Sequence, residues 1–185
     1  RQMCIRDSMN TTQVQRKLLR EKIQANYKSH EEVVCDAYST ETAISRLKMA
    51  LLCTVTKAGK ESEIGNICLK IDWLYQDLAD ELDENSSDYE SKKENYLAEA
   101  HNFAMNAYEH LSKARMEEEF PIAGMNETTL DYLLSYLGYV KGEYQTAMQY
   151  LSGVVSTRGI SPRLKDKCLE LKELLNQKLH ASADQ

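Results

Sequence analysis

The side chains in this chain most capable of chemistry are its thiols and imidazoles, and their spacing limits what they can do. Five cysteines stand singly at Cys4, Cys35, Cys53, Cys68 and Cys168, with no C-x-x-C pair among them. An odd, scattered set predicts no disulfide framework. A zinc site needs ligands gathered at short spacing, whereas His101 and His110 are nine residues apart and fall on opposite faces of a helix. The expectation is no metal and no other cofactor, with the thiols buried as small apolar groups in a reducing cytoplasm.

Catalysis fares no better. A general base needs an orienting partner, and the helical neighbours of His101 are Leu97, Ala98, Ala104 and Met105, while those of His110 are Asn106, Ala107, Lys113 and Ala114. Neither set contains a carboxylate. No G-x-S-x-G elbow, H-E-x-x-H helix, glycine-rich phosphate loop or local Cys–His pair occurs, so the chain is read as a non-enzyme. The acidic run Glu117 to Glu119 reads as a solvated helix end rather than a dock for a basic partner.

The elements that would carry these residues are helices. Of 185 residues 28% are charged, 42% are hydrophobic, and only two are proline and seven glycine, which favours long helices over a turn-rich β architecture. The net charge is −6 and the basic residues are interspersed with acids, so no stripe exists to neutralise a phosphate backbone and nucleic-acid binding is not expected. No apolar run of about 18 residues and no signal-peptide core occurs, so no membrane attachment is expected. Residues 1–8, RQMCIRDS, fit neither helix nor strand, read as a translated sequencing adapter or disordered tail, and are set aside.

From residue 9 onward, apolar spacing and capping signals predict about seven helices. One runs from Thr11 or Thr12 to about Tyr27. A second opens at Ser39 or Thr40, turns Ala43, Leu47, Ala50, Leu51 and Thr54 to one face, and ends at Gly59 in a left-handed cap; these two form an N-terminal pair over 9–60. A third, over 61–82, has an apolar stripe from Ile64 to Leu82 and a second apolar side at Leu69 and Trp73, so it lies inside a stack or lines a groove. The polar stretch 84–95 reads as a loop or an exposed prolongation of a fourth helix over 94–116, whose alanines permit close contact. That helix stops ahead of Pro121. Asn126 caps a fifth helix with Leu130, Leu133, Leu134 and Leu137 inward, Gly142 breaks the chain, and Tyr144 to Val155 complete a tight hairpin. Ser161 and Pro162 then open a one-sided capping helix through Leu179.

The spacing of Leu134, Ser135, Gly138, Gly142, Tyr144, Ala147, Leu151 and Val154 resembles a tetratricopeptide repeat, and Ile71, Tyr75, Ala79, Ala100, Ala104 and Ala107 resemble a degenerate second copy. The segments ICLKIDWLYQDL (67–78), FPIAGMNETTL (120–130) and LGYVKGEYQTAMQYLSGVV (137–155) further resemble the carboxyl-terminal part of the bacterial family called domain of unknown function 2225, over roughly residues 40–178. Its members carry an upstream segment with paired C-x-x-C motifs, read as zinc-ribbon-like; no residue here matches it, so no zinc ligand is carried over. The fold implied is all-α: tetratricopeptide-like antiparallel hairpins in a short right-handed solenoid, with 61–180 holding two hairpins and the capping helix.

A protein or peptide partner follows from that fold, with a homodimer as one form of it. The function expected is a scaffold or adaptor module; the alternative is a sensor taking a peptide or small ligand in the concave groove. By the resemblance, groove positions fall on Asn66, Leu69, Trp73 and Gln76 and on Thr129, Tyr132, Tyr136 and Tyr139. Their aromatic rings are expected to stand on exposed faces, where tyrosine and tryptophan supply interface energy.

Overall fold

The computed structural model describes residues 39–183; the octapeptide 1–8 and the helix expected over 11–27 lie outside them. Six helices occupy these residues: α1 (Thr40–Thr56), α2 (Glu61–Asp80), α3 (Tyr89–Glu117), α4 (Glu127–Lys141), α5 (Tyr144–Ser156) and α6 (Pro162–Ala183). No strand occurs among the described residues; Ile122 and Met125 form an isolated bridge. The chain divides into two compact units, Arg1–Ser45 and Arg46–Gln185. The described part of the first is the opening of α1, where the Ser39 hydroxyl accepts the Thr42 amide at 3.3 Å as an N-cap.

Within the second unit, antiparallel pairing follows from close approach of small residues. Gly65 on α2 sits so near α3 that an added Cβ would lie 2.7 Å from Leu111 Cγ, and Ala100, Ala104, Ala107 and Ala114 of α3 are fully buried. The same device recurs between α4 and α5, where a Cβ on Gly138 would stand 3.2 Å from Ala147 Cβ and the Ser135 hydroxyl donates to the Ala147 carbonyl at 2.8 Å. α4 is buried continuously from Leu130 to Gly138, so it is the interior helix, packed by α3, α5 and α6. α6 seals the end through Cys168, Leu171 and Leu175, the one-sided stripe expected of a terminal helix.

Capping chemistry sets the boundaries. Asn126 Oδ1 accepts the Thr129 amide at 2.9 Å, and Ser161 Oγ accepts the Leu164 amide at 3.3 Å. Gly142, at φ 90°, closes α4 as the Glu143 amide donates to the Gly138 carbonyl at 2.9 Å, a Schellman motif. Three expectations are corrected. α1 is closed by the same motif, but Ala58 (φ 50°), not Gly59, takes the left-handed position, and the Gly59 amide donates to Thr54 at 2.8 Å. α2 ends at Asp80 rather than Leu82. Of the two readings of 84–95, the exposed prolongation holds from Tyr89, where α3 begins. Those early turns of α3 are solvated and carry an Asp88–Lys92 pair at 2.7 Å and a Lys93 to Tyr89 hydrogen bond at 2.6 Å, so they form a helix without an apolar stripe. On α5 Val154, named by the repeat spacing, is buried, whereas Val155, expected to line the helix with Ala147, Met148 and Leu151, is exposed.

The connection from α3 to α4 contains a two-residue reversal. Ala123 (φ 48°) and Gly124 (φ 70°) make the left-handed centre that a tight primed turn needs, and Ile122 and Met125 exchange backbone hydrogen bonds at 3.1 and 2.8 Å. Both side chains are buried, so the loop contributes to the core.

Candidate functional site

The eight groove positions do not form an open aromatic surface. Leu69, Trp73, Gln76, Tyr132 and Tyr136 are only 1, 8, 7, 4 and 2% exposed, while Asn66, Thr129 and Tyr139 are half-buried. The expected exposure of the rings is therefore corrected. α2 and α4 each bury residues on both of their sides, so neither presents an open aromatic face. Tyr132 lies near the Cys168 thiol of α6, and burial pushes its phenol well above the usual range. Gln76 Nε2 donates to Asp72 Oδ1 at 2.6 Å, tying its polar end within α2, and Tyr139 faces Tyr144 with ring centroids 6.0 Å apart.

Polar groups that the sequence leaves dispersed are gathered into interhelical networks. His110 has a carboxylate after all: its Nδ1 lies 2.5 Å from Glu61 Oε2, supplied from α2 across the hairpin. The other Glu61 oxygen pairs with Lys113, and the hydrogen bonds from Lys113 and then His110 hold the Glu61 carboxyl below its usual range. Beside it, Glu118 accepts the Ser62 amide at 2.9 Å and the Ser62 hydroxyl at 2.6 Å, capping α2 from the far end of α3. Between α3 and α4, Arg115 Nε donates to the buried Asp131 at 2.8 Å, its Nη2 pairs with Glu127, and the guanidinium lies 5.1 Å from the Phe120 ring centroid. Tyr108 donates to Glu143 at 2.8 Å, and burial raises its phenol well above normal. These networks cross from one helix to the next, so their residues clamp the hairpins together.

The thiols divide. Cys68 and Cys168 are buried, but Cys53 is exposed, which corrects the expectation that all five would be core residues; Cys4 and Cys35 lie outside the described residues. Burial pushes the Cys68 thiol up to about 11. Among the described residues no three His, Cys, Asp or Glu side chains cluster as a metal site.

Two surface features remain. On α1, Met49, Leu52 and Val55 are 61, 57 and 52% exposed, one helical stripe pointing to solvent, with Ala50 exposed beside it rather than turned inward. The stripe was a signal available in the sequence, since these apolar residues recur every three positions off the face assigned to packing. Between α5 and α6 a half-open cleft of about 230 Å³ is lined by Met148, Leu151, Ser152, Val155, Ser156 and Lys172. Its hydroxyls are spent on their own helix, Ser152 donating to Met148 at 2.8 Å and Ser156 to Ser152 at 2.7 Å.

Residues 4–175 match the model of a family described as an uncharacterized protein conserved in bacteria, DUF2225. The chain belongs to that family. The DUF2225 match extends well upstream of the three segments whose resemblance suggested it, and begins inside the octapeptide set aside above. No curated protein and no solved structure matches the chain. Among the described residues of this DUF2225 member, no helix is long and apolar enough to cross a membrane.

Proposed function

We propose that this DUF2225 member is a non-catalytic helical-repeat module that binds a protein partner through α1. The observation that carries this reading is the Met49–Leu52–Val55 stripe, all three more than half exposed on a helix whose own buried residue is Ile44. A contiguous exposed apolar strip is the signature of an interaction face rather than of a solvated one. Its surroundings favour an acidic occupant. From Thr42 to Lys60 the chain has no acid but carries Arg46, Lys57 and Lys60 besides Lys48, which turns toward Tyr75 and Glu99, a basic stretch in a protein of net charge −6. The complement is an amphipathic helix with apolar anchors at three- and four-residue spacing, flanked by carboxylates. The close-packing small residues at Gly138, Ala147, Ala100 and Ala104 support the tetratricopeptide-like stacking of the two hairpins, with α6 as the cap.

A ligand sensor is less well supported. Ligand pockets run to roughly 300–1,000 Å³, and the cleft between α5 and α6 holds about 230 Å³ with its serine hydroxyls already engaged.

A photo-crosslinking amino acid at position 52, introduced in a bacterial host of the family, tests the module. The expected result is an adduct with an acidic amphipathic segment of another protein, lost from pull-downs by Leu52→Asp with no change in melting. Adducts confined to residues 1–38 of the same chain, or to a second copy, would reassign the stripe to self-contact and overturn the proposal.

A further inference from the structure

Lys48 leaves α1 on the side facing the α2/α3 hairpin and ends among aromatic rings. Its Nζ donates to Tyr75 Oη at 2.7 Å and lies 3.6 Å from Glu99 Oε2. It also stands 5.1 and 5.3 Å from the ring centroids of Tyr75 and Phe103. Those two rings stack at 6.1 Å and 19°, and Tyr96 tilts against Tyr75 at 6.2 Å. A hydroxyl acceptor, a carboxylate and two π faces converging on one point recognise a primary ammonium, since each is an independent attraction for a cation.

All four lining residues belong to α2 and α3, a hairpin zipped by Gly65 and the α3 alanines, so the pocket does not depend on α1 for its shape. The cation, by contrast, arrives on the helix with little burial of its own: Ile44 is the residue α1 buries, and Lys48 and Glu99 remain 42 and 38% exposed. An element with few buried contacts opens at low cost. We propose that Tyr75, Tyr96, Glu99 and Phe103 form a lysine-binding socket that the chain's own Lys48 occupies in cis, and that a lysine side chain of another protein competes for it, releasing α1. That the competing lysine belongs to a protein rests on the binding-module reading; the socket and its cis ligand do not.

The hydrogen bond from Lys48 to the Tyr75 hydroxyl, opposed in part by desolvation, raises the lysine's proton affinity. A lysine placed there therefore stays charged throughout the physiological range.

The experiment uses Nα-acetyl-lysine N-methylamide, with the norleucine counterpart as the uncharged control, titrated into the full chain while the ring resonances of Tyr75, Tyr96 and Phe103 are followed by NMR. In Lys48→Ala the lysine amide should shift all three saturably and the norleucine amide should not, and adding Glu99→Gln should weaken the binding. Wild type should bind about tenfold more weakly than Lys48→Ala if cis occupancy is near 90%. Absence of saturable shifts in Lys48→Ala, equal shifts with norleucine, or equal affinity in wild type would overturn the socket. Should Lys48→Ala fail to fold, hydrogen exchange of wild-type α1 amides decides: faster exchange at saturating lysine amide supports displacement, and unchanged exchange refutes it.

Discussion

At the scale of single residues, aromatic side chains left over from a helical stripe need not be surface. Tyr136 sits opposite the leucines of α4, and periodicity alone assigns it outward; burial to 2% shows that α4 has neighbours on both sides. Tyr136→Ala should consequently cost about 3–5 kcal/mol, in the range of Leu134→Ala, because each leaves a cavity in packed surroundings. Urea unfolding of the two variants checks this, and a loss below about 1 kcal/mol for Tyr136→Ala would return the ring to the surface. His110 teaches the complementary point. Its helical neighbours hold no carboxylate, yet Glu61 reaches it at 2.5 Å from a helix 49 positions away in sequence, a distance at which sequence patterns carry no pairing information.

At the scale of elements, the ends of helices were more legible than their surfaces, because a cap is a local event. Asn126, Ser161 with Pro162, and Gly142 act where residue type alone placed them. The exception is Ala58, whose φ of 50° puts a Cβ in the left-handed region beside the glycine that would have tolerated it. Ala58→Gly should therefore stabilise the chain by about 0.5–1 kcal/mol, the relief at the Schellman position outweighing the added freedom of the unfolded state. Thermal melting would register this as a small rise; an unchanged or lower melting temperature would mean that the αL residue costs nothing there. The start of α3 shows the opposite limit. Its first turns are exposed and polar, and their helicity follows from propagation of a long packed helix with i,i+4 support, which no apolar stripe announces.

At the scale of the whole molecule, burial sorts the thiols into classes that a reagent can read. Cys53 is exposed, whereas Cys68 and Cys168 are buried and the Cys68 thiol is pushed up to about 11. Site-resolved alkylation at neutral pH should modify Cys53 at once and Cys68 and Cys168 only at the rate of global opening, rising with denaturant in step with unfolding. Early modification of Cys168 would show that α6 detaches independently. The all-α class, the hairpin at Gly142, the interior leucines of α4 and the capping stripe of α6 could be read from composition, period and local motif, since each depends on residues close together in the chain, and the family from the resemblance of three segments. Which surfaces remain open could not. Burial of Trp73 and Tyr132, exposure of Met49, Leu52 and Val55, and the meeting of Lys48 with Tyr75, Glu99 and Phe103 all depend on which helix lies against which, and helical periodicity specifies that a side chain has a face without specifying what the face meets.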